Sequence, residues 1–399
     1  MKIKLSYLLT IIISILILLI GHQAAVQNRF LFIDNTFEHV RARVIEVTDR
    51  IRAEDLVFDF DDEFGVVDDF FLTLIGETLV FDAEVTNGAR RGQVISAEQN
   101  LNDFMLFTPV EVKEGDAVLL INTGIGWYFN GFFRTDRIFI LGIIFAVCVL
   151  LFGRKKGFNT LLSLSLTCIA VFSIFIPSIL SGKNIYLMAI LVCSYTTLMS
   201  LLLVIGYNKK ALAAIIGCIS GILFAGFICI VMDRLLLLTG VLDEHSRHLL
   251  NLPLENPLDL RAIIFAGIII GAMGAIMDVS MSIASSLWEI REEASTVSFK
   301  SLLRSGLNIG RDILGSMANT LILAYIGSSL SVVLVLSVYS TSLMELLNRE
   351  MIIVEILQAL AGSFGILLAL PLTALFCSVI YLRKEPNRGE AKSRKKTKG

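Results

Sequence analysis

Histidine and proline are scarce in this chain of 399 residues, with four of the first and six of the second. So few imidazoles leave little from which to build a histidine-based catalytic or zinc site. The six cysteines, Cys148, Cys168, Cys193, Cys218, Cys229 and Cys377, all fall in apolar segments, and none falls in the polar region 26–136. That excludes a disulfide framework in the polar region, and no CxxC pair offers a metal site. Charged residues are also few, at 18% against about 25% in soluble proteins. The formal charge of −2 gives no preference for nucleic acid. P-loop, nucleophile-elbow, kinase and zinc-protease signatures are all missing. The sequence therefore leads us to expect neither an enzyme nor a cofactor.

What is present is apolar length. Hydrophobic residues make up 55% of the chain and the mean hydropathy is +0.76. Eight runs are long enough to cross a bilayer, which takes about 20 residues and at least ~17. They are Leu5–Ile20, Ile138–Phe152 (starting nearer Phe132), Phe158–Leu180, Ile185–Ile205, Ala211–Met232, Ile263–Ser286, Ile313–Val338 and Ile353–Tyr381. Alternate connections are basic: Lys2 and Lys4 before the first run, Arg154-Lys155-Lys156 after the second, Lys209-Lys210 after the fourth, and the tail from Arg383. Basic loops stay in the cytoplasm, so both termini are expected inside and residues 26–136 outside the cell membrane. The first run is read as an uncleaved anchor spanning 1–25. Cleavage after Ala24 or Ala25 would put His22 or Gln23 where a small residue is needed.

Region 26–136 reads as β. Alternating or β-branched runs occur at Arg43–Thr48, Phe71–Val80, Gln93–Ala97 and Ala117–Asn122, separated by turn signals such as Asn87-Gly88 and Glu114-Gly115. A small barrel or sandwich, OB-like, is expected. The acidic stretch Glu54–Asp69 lacks the spacing of a calcium loop and reads as a solvated loop. The expected architecture is thus an α-helical polytopic membrane protein of eight spans (residues 137–382 forming helices 2–8), with a small extracytoplasmic β-rich domain and a basic cytoplasmic tail, 383–399.

One run carries what a bilayer should reject. On a helix, Gly267, Gly271, Gly274, Asp278, Ser282, Ser285 and Glu289 share one face. Its glycine half suits close helix packing. A carboxylate in hydrocarbon costs at least ~2.5 kcal/mol, so Asp278 should face protein or a water-filled cavity. The next run opens with a second polar face, Asp312, Ser316 and Asn319, beside Gly315. The two stripes are expected to face one another and to line one path for a cation or proton, with Asp278 and Asp312 as charged ligands and Ser282, Ser285, Ser316 and Asn319 as neutral ones. Gly217 and Gly221 form a further packing motif, and Pro177 and Pro371 are expected to kink their helices.

The motifs Gly274–Ser286 (GAIMDVSMSIASS) and Ser298–Gly327 resemble the YibE/F-like membrane proteins. An exported β domain followed by a span ending in Gly153-Arg154-Lys155-Lys156-Gly157 looks like the longer, YibE-type members. The resemblance implies a multi-pass permease-like protein, often paired with a relative, and carries over no established catalytic residue. The expected function is a permease or transport-complex subunit for an ion or small solute. Its expected partners are the lipid bilayer and a paired family member or a second copy. The rival expectation is a non-transporting scaffold whose external β domain binds a protein or cell-envelope component.

Overall fold

A computed structural model describes residues 2–25, 37–51, 77–101, 110–252, 257–294, 297–340 and 342–382, with side chains from Tyr7 onward. The acidic stretch Glu54–Asp69 and the basic tail lie outside the described residues. The chain divides into two compact units, Phe32–Cys148 and the remainder, Met1–Leu31 with Val149–Gly399.

The first unit holds five strands: β1 (Glu38–Ile51), β2 (Glu77–Val85), β3 (Val94–Leu101), β4 (Ala117–Asn122) and β5 (Trp127–Phe132). They close into a barrel in the order β1-β2-β3-β5-β4. Only β3 and β5 pair in parallel, and closure is made by β1 against β4, from Glu38 opposite Asn122 to Arg43 opposite Ala117. Period-two patterning points one face inward: Val40, Ala42 and Val44 of β1, Phe81, Ala83 and Val85 of β2, Ile95 and Ala97 of β3, and Val118 and Leu120 of β4 are buried. The inner face of β3 continues with a polar residue. Gln99, 1% exposed, donates from Nε2 to the Val110 carbonyl at 2.9 Å and accepts from the Val112 amide at 2.9 Å. Its side-chain amide thus replaces a missing strand partner, which keeps both backbone groups paired. The β-rich expectation for this region is met as a closed five-stranded barrel.

The rest is helical. α1 spans Lys2–Ala25 and α2 spans Thr135–Ala170. A π-helical turn, Val171–Phe175, leads into α3 (Ile176–Leu180). Then come α4 (Ile185–Val204), α5 (Lys209–Leu235), the short α6 (Glu244–Leu250), α7 (Leu260–Glu293), α8 (Phe299–Ser328), α9 (Leu330–Tyr339), α10 (Leu343–Asn348) and α11 (Glu350–Leu382). Among the described residues six helical stretches are long and apolar enough to cross a membrane, 135–180 counting as one. The pair α8 and α9, bent by 60°, makes a seventh.

α2 is not one rod. Arg154 sits at φ 48, ψ −124, outside helical geometry. A Cβ on Gly157 would lie 2.2 Å from the Val149 carbonyl oxygen. In a straight helix those residues would be about 12 Å apart along the axis. The chain therefore folds back at the Arg154-Lys155-Lys156 cluster, and only glycine fits at 157. The second break has a different cause. Pro177 has no amide hydrogen, so the carbonyl four residues back, Ser173, has no helical donor. The backbone widens into the π turn there, and His22 Nδ1 of α1 donates to the Ser173 carbonyl at 2.9 Å. Pro371, by contrast, lies inside an uninterrupted α11.

α11 forms the centre, packed against α5, α7 and α8. Its small residues let the backbones approach. A Cβ on Gly221 would meet Ala369 Cβ at 2.7 Å and the Gly365 carbonyl at 2.9 Å. One on Gly217 would meet Thr373 Oγ1 at 2.0 Å. Several polar atoms in this core are paired: Thr373 Oγ1 donates to Ser280 Oγ at 3.3 Å and Tyr381 Oη to the Ala284 carbonyl at 2.8 Å. α1 joins the unit through Tyr7 Oη to Asn159 Oδ1 (2.8 Å) and Tyr195 Oη to Ser14 Oγ (3.1 Å).

Candidate functional site

α7 begins at an Asp259 cap, whose Oδ1 accepts from the Ala262 amide at 3.1 Å. It then runs as one helix to Glu293. Asp278 lies near its middle. The buried faces of α7 pack on α4, α5, α8 and α11, and the stripe bearing Gly267, Gly271 and Asp278 is the face left exposed. Asp278 opens onto a cavity of about 350 Å³ between α7, α4 and the second half of α2. Among the described residues its carboxylate has no hydrogen-bond or ion-pair partner.

The cavity is mostly apolar with a cluster of hydroxyls. Thr160, Ser163 and Thr167 project from α2, and Thr196 and Ser200 from α4. Four of these are satisfied locally. Ser163 Oγ donates to Ser200 Oγ at 2.7 Å, Thr167 Oγ1 to the Ser163 carbonyl at 3.0 Å, and Thr160 Oγ1 to the Lys156 carbonyl at 3.0 Å. Thr196 differs: it is 3% exposed and its Oγ1 has no partner. A buried hydroxyl without a hydrogen bond costs ~1–3 kcal/mol. Met273, Met277 and Met281, at four-residue steps along α7, form part of the apolar wall. Among the described residues no arginine, lysine or histidine lines the cavity, and Asp278 is its one carboxylate.

The polar stripe of α8 goes elsewhere. Asp312, Gly315, Ser316 and Asn319 are exposed, and none lines the Asp278 cavity. Ser316 Oγ donates to the Ile313 carbonyl of its own helix at 2.9 Å. Ser282 and Ser285 continue the α7 stripe, half-buried and outside the cavity lining. The structure thus does not bring the two expected stripes together. α7 and α8 meet instead where glycine accepts a large side chain: Leu287 against Gly306, and the Tyr325 hydroxyl against Gly271. Close packing rewards that fit, whereas two carboxylate faces would repel. Three of the glycines expected to pack helices, Gly267, Gly274 and Gly315, meet no neighbour within this chain. A Cβ on any of the three would meet nothing within 4 Å. Of the four glycines singled out, Gly271 alone meets a neighbour.

The hydroxyls of α2 and α4 were missed by the sequence reading, although a signal existed. Thr160, Ser163 and Thr167, and separately Thr196 and Ser200, recur at three- and four-residue steps within apolar runs, the mark of a shared helical face.

Outside the apolar helices, the α5–α7 connection holds a capping box. Asp243 Oδ1 accepts from the Ser246 amide at 2.8 Å and from its hydroxyl at 2.5 Å. These bonds, the hydroxyl first, hold the Asp243 carboxyl below its usual range. Among the described residues no cluster of three or more histidine, cysteine, aspartate or glutamate side chains is placed to hold a metal.

The family model described as YibE/F-like protein matches residues 141–383, more than half of the chain. The barrel lies outside that match. No curated protein and no solved structure matches the chain.

Proposed function

The chain belongs to the YibE/F-like family, and from that premise we propose that it is a membrane permease or transport-complex subunit whose cation or proton site is Asp278. The observation that carries this reading is the unpartnered Asp278 carboxylate opening into a hydroxyl-bearing cavity in the middle of an apolar helix. A carboxylate kept in a membrane helix without a neutralising base is costly, and such residues mark ion and proton pathways. Asp312 stands at the periphery of this reading, as an approach residue near the end of its span, with Ser316 and Asn319 beside it.

The reading includes eight crossings with both termini in the cytoplasm and α1 retained. Support comes from length. The 46-residue stretch Thr135–Leu180 would extend about 70 Å at 1.5 Å per residue, twice the ~30 Å hydrocarbon thickness. The reversal at Arg154 divides it into two spans, with the basic cluster at the turn where the positive-inside rule wants it.

The test is flux of protons and of sodium into proteoliposomes, native protein against Asp278→Asn and Asp312→Asn. Asp278→Asn keeps the size and removes the charge, so it abolishes the flux while expression and thermal stability stay near native. Asp312→Asn lowers it only severalfold. Full flux in Asp278→Asn would remove the reading.

A further inference from the structure

Resting on that reading of the Asp278 cavity, we infer that its occupant is a small organic ammonium ion, a primary amine carrying an apolar body, rather than a bare metal cation. The lining makes the case. One carboxylate and no base let the site carry a single negative charge and no positive one, which suits one cationic group and not an anion. Divalent ions are held by several carboxylates in a tight oxygen shell, and this cavity supplies one. Its volume of about 350 Å³ is far larger than an ion, with room for about a dozen non-hydrogen atoms at ~30 Å³ each, the share of a water molecule.

The lining carries polar groups of the kind a primary ammonium uses. Such a head has three donors and no acceptor. Asp278 accepts one with charge assistance, and Thr196 Oγ1, which has no partner and almost no accessible surface, becomes a second acceptor on turning toward the cavity. The Ser163–Ser200 hydroxyl pair offers a third. The rest of the wall suits the body of the molecule. Met273, Met277 and Met281 are unbranched and polarisable, so they adapt to varied apolar shapes. A cavity that is mostly apolar with a few convergent polar groups has the general build of a small-molecule site.

Primary ammonium also occurs on aminophospholipid headgroups, and the cavity belongs to a membrane unit. A lipid headgroup brings a phosphate as well, and the lining has no lysine, arginine or histidine to meet it. The free amine is therefore the occupant proposed.

The experiment uses the full chain in phosphatidylcholine nanodiscs and reads its thermal unfolding midpoint, which rises when a ligand binds the folded state. The probes are n-hexylammonium, hexanol and sodium ion, with a separate set of nanodiscs containing phosphatidylethanolamine. We expect saturable stabilisation by hexylammonium and none by hexanol. Asp278→Asn abolishes the effect. Thr196→Val removes the orphan hydroxyl, so the protein folds at least as well, yet its affinity for hexylammonium falls about tenfold, the worth of one charge-assisted hydrogen bond. Stabilisation by sodium and not by hexylammonium, lost in Asp278→Asn, would overturn this inference and leave the transport reading standing. Stabilisation by phosphatidylethanolamine alone would overturn it in favour of the lipid. Equal hexylammonium binding by native protein and Thr196→Val would also overturn it. Loss of the transport reading shows separately, as flux of hexylammonium, protons and sodium all indifferent to Asp278→Asn.

Discussion

Glycine shows at the residue scale how one side chain means opposite things in two places. Gly221 and Gly274 each sit in an apolar helix, but a Cβ on Gly221 would press on Ala369 and the Gly365 backbone, and one on Gly274 would meet nothing. Gly221→Ala should cost about 1–3 kcal/mol through overpacking. Gly274→Ala should be neutral or stabilising by up to ~1 kcal/mol, since alanine loses less backbone entropy in a helix. Thermal unfolding of the two purified variants in one detergent checks both signs, and a Gly274→Ala protein as unstable as Gly221→Ala would show that α7 has a close neighbour on its exposed face. The sequence made the stripe of α7 legible, because periodicity tells which residues share a face. It does not tell what the face meets, and so Asp312 was paired with Asp278 when the partner surface is α2 and α4. The same limit hid Thr196. A threonine in an apolar run looks innocuous until its hydroxyl is found buried without a partner.

At the scale of elements, helix breaks had readable causes and unreadable consequences. Pro177 announced a break, yet nothing local to it named His22, some 150 residues earlier, as the donor for the carbonyl it frees. His22→Phe keeps a ring and removes that donor, so α1 should loosen from the π turn. Faster hydrogen exchange in 171–176 than in native protein, by about three- to tenfold, is expected for a bond worth ~1 kcal/mol; unchanged exchange would show that another group serves the carbonyl. α6 gives a cleaner case. Its Asp243 cap has a carboxyl held below the ordinary value by Ser246, so the stabilisation is present above the unfolded-state value near 4 and is lost as pH falls through the lower, folded-state value. Asp243→Ala should raise amide exchange in 244–250 about three- to thirtyfold at neutral pH, and the gap between variant and native protein should close in strong acid. A gap independent of pH would mean that the carboxylate is not the capping group.

For the whole molecule, composition indicated a membrane protein and residue alternation a β-rich insert, and the apolar helices and the barrel agree with them. Where inward and outward residues alternate, strands were legible: β4 was located to the residue and β1 and β3 in part, whereas the run expected at Phe71–Val80 meets β2 (Glu77–Val85) only at its end and β5 (Trp127–Phe132) was not expected. The closed order β1-β2-β3-β5-β4 was not legible, since pairing depends on registers between distant segments. The proposed orientation can be tested with single engineered cysteines. Of the native thiols, Cys193, Cys218, Cys229 and Cys377 are buried in the helical unit, while Cys148 and Cys168 are exposed. Replacing those two should give a quiet background in which Asn87→Cys reacts with an impermeant maleimide on intact cells and Lys155→Cys reacts only after lysis. The reverse pattern would invert the molecule.

The barrel closes by joining its first strand to its fourth, Glu38 against Asn122, and this fixes when it can exist. During synthesis the first strand has no partner on one edge until the fourth has left the ribosome, and the fifth ends only two residues before α2 begins. If the segment is exported as proposed, it crosses the membrane as an open chain and folds on the far side. The barrel is then finished at about the time the first turn of α2 is made, so a defect in any strand would leave an unfolded loop tethered at both ends to helices already committed to the bilayer.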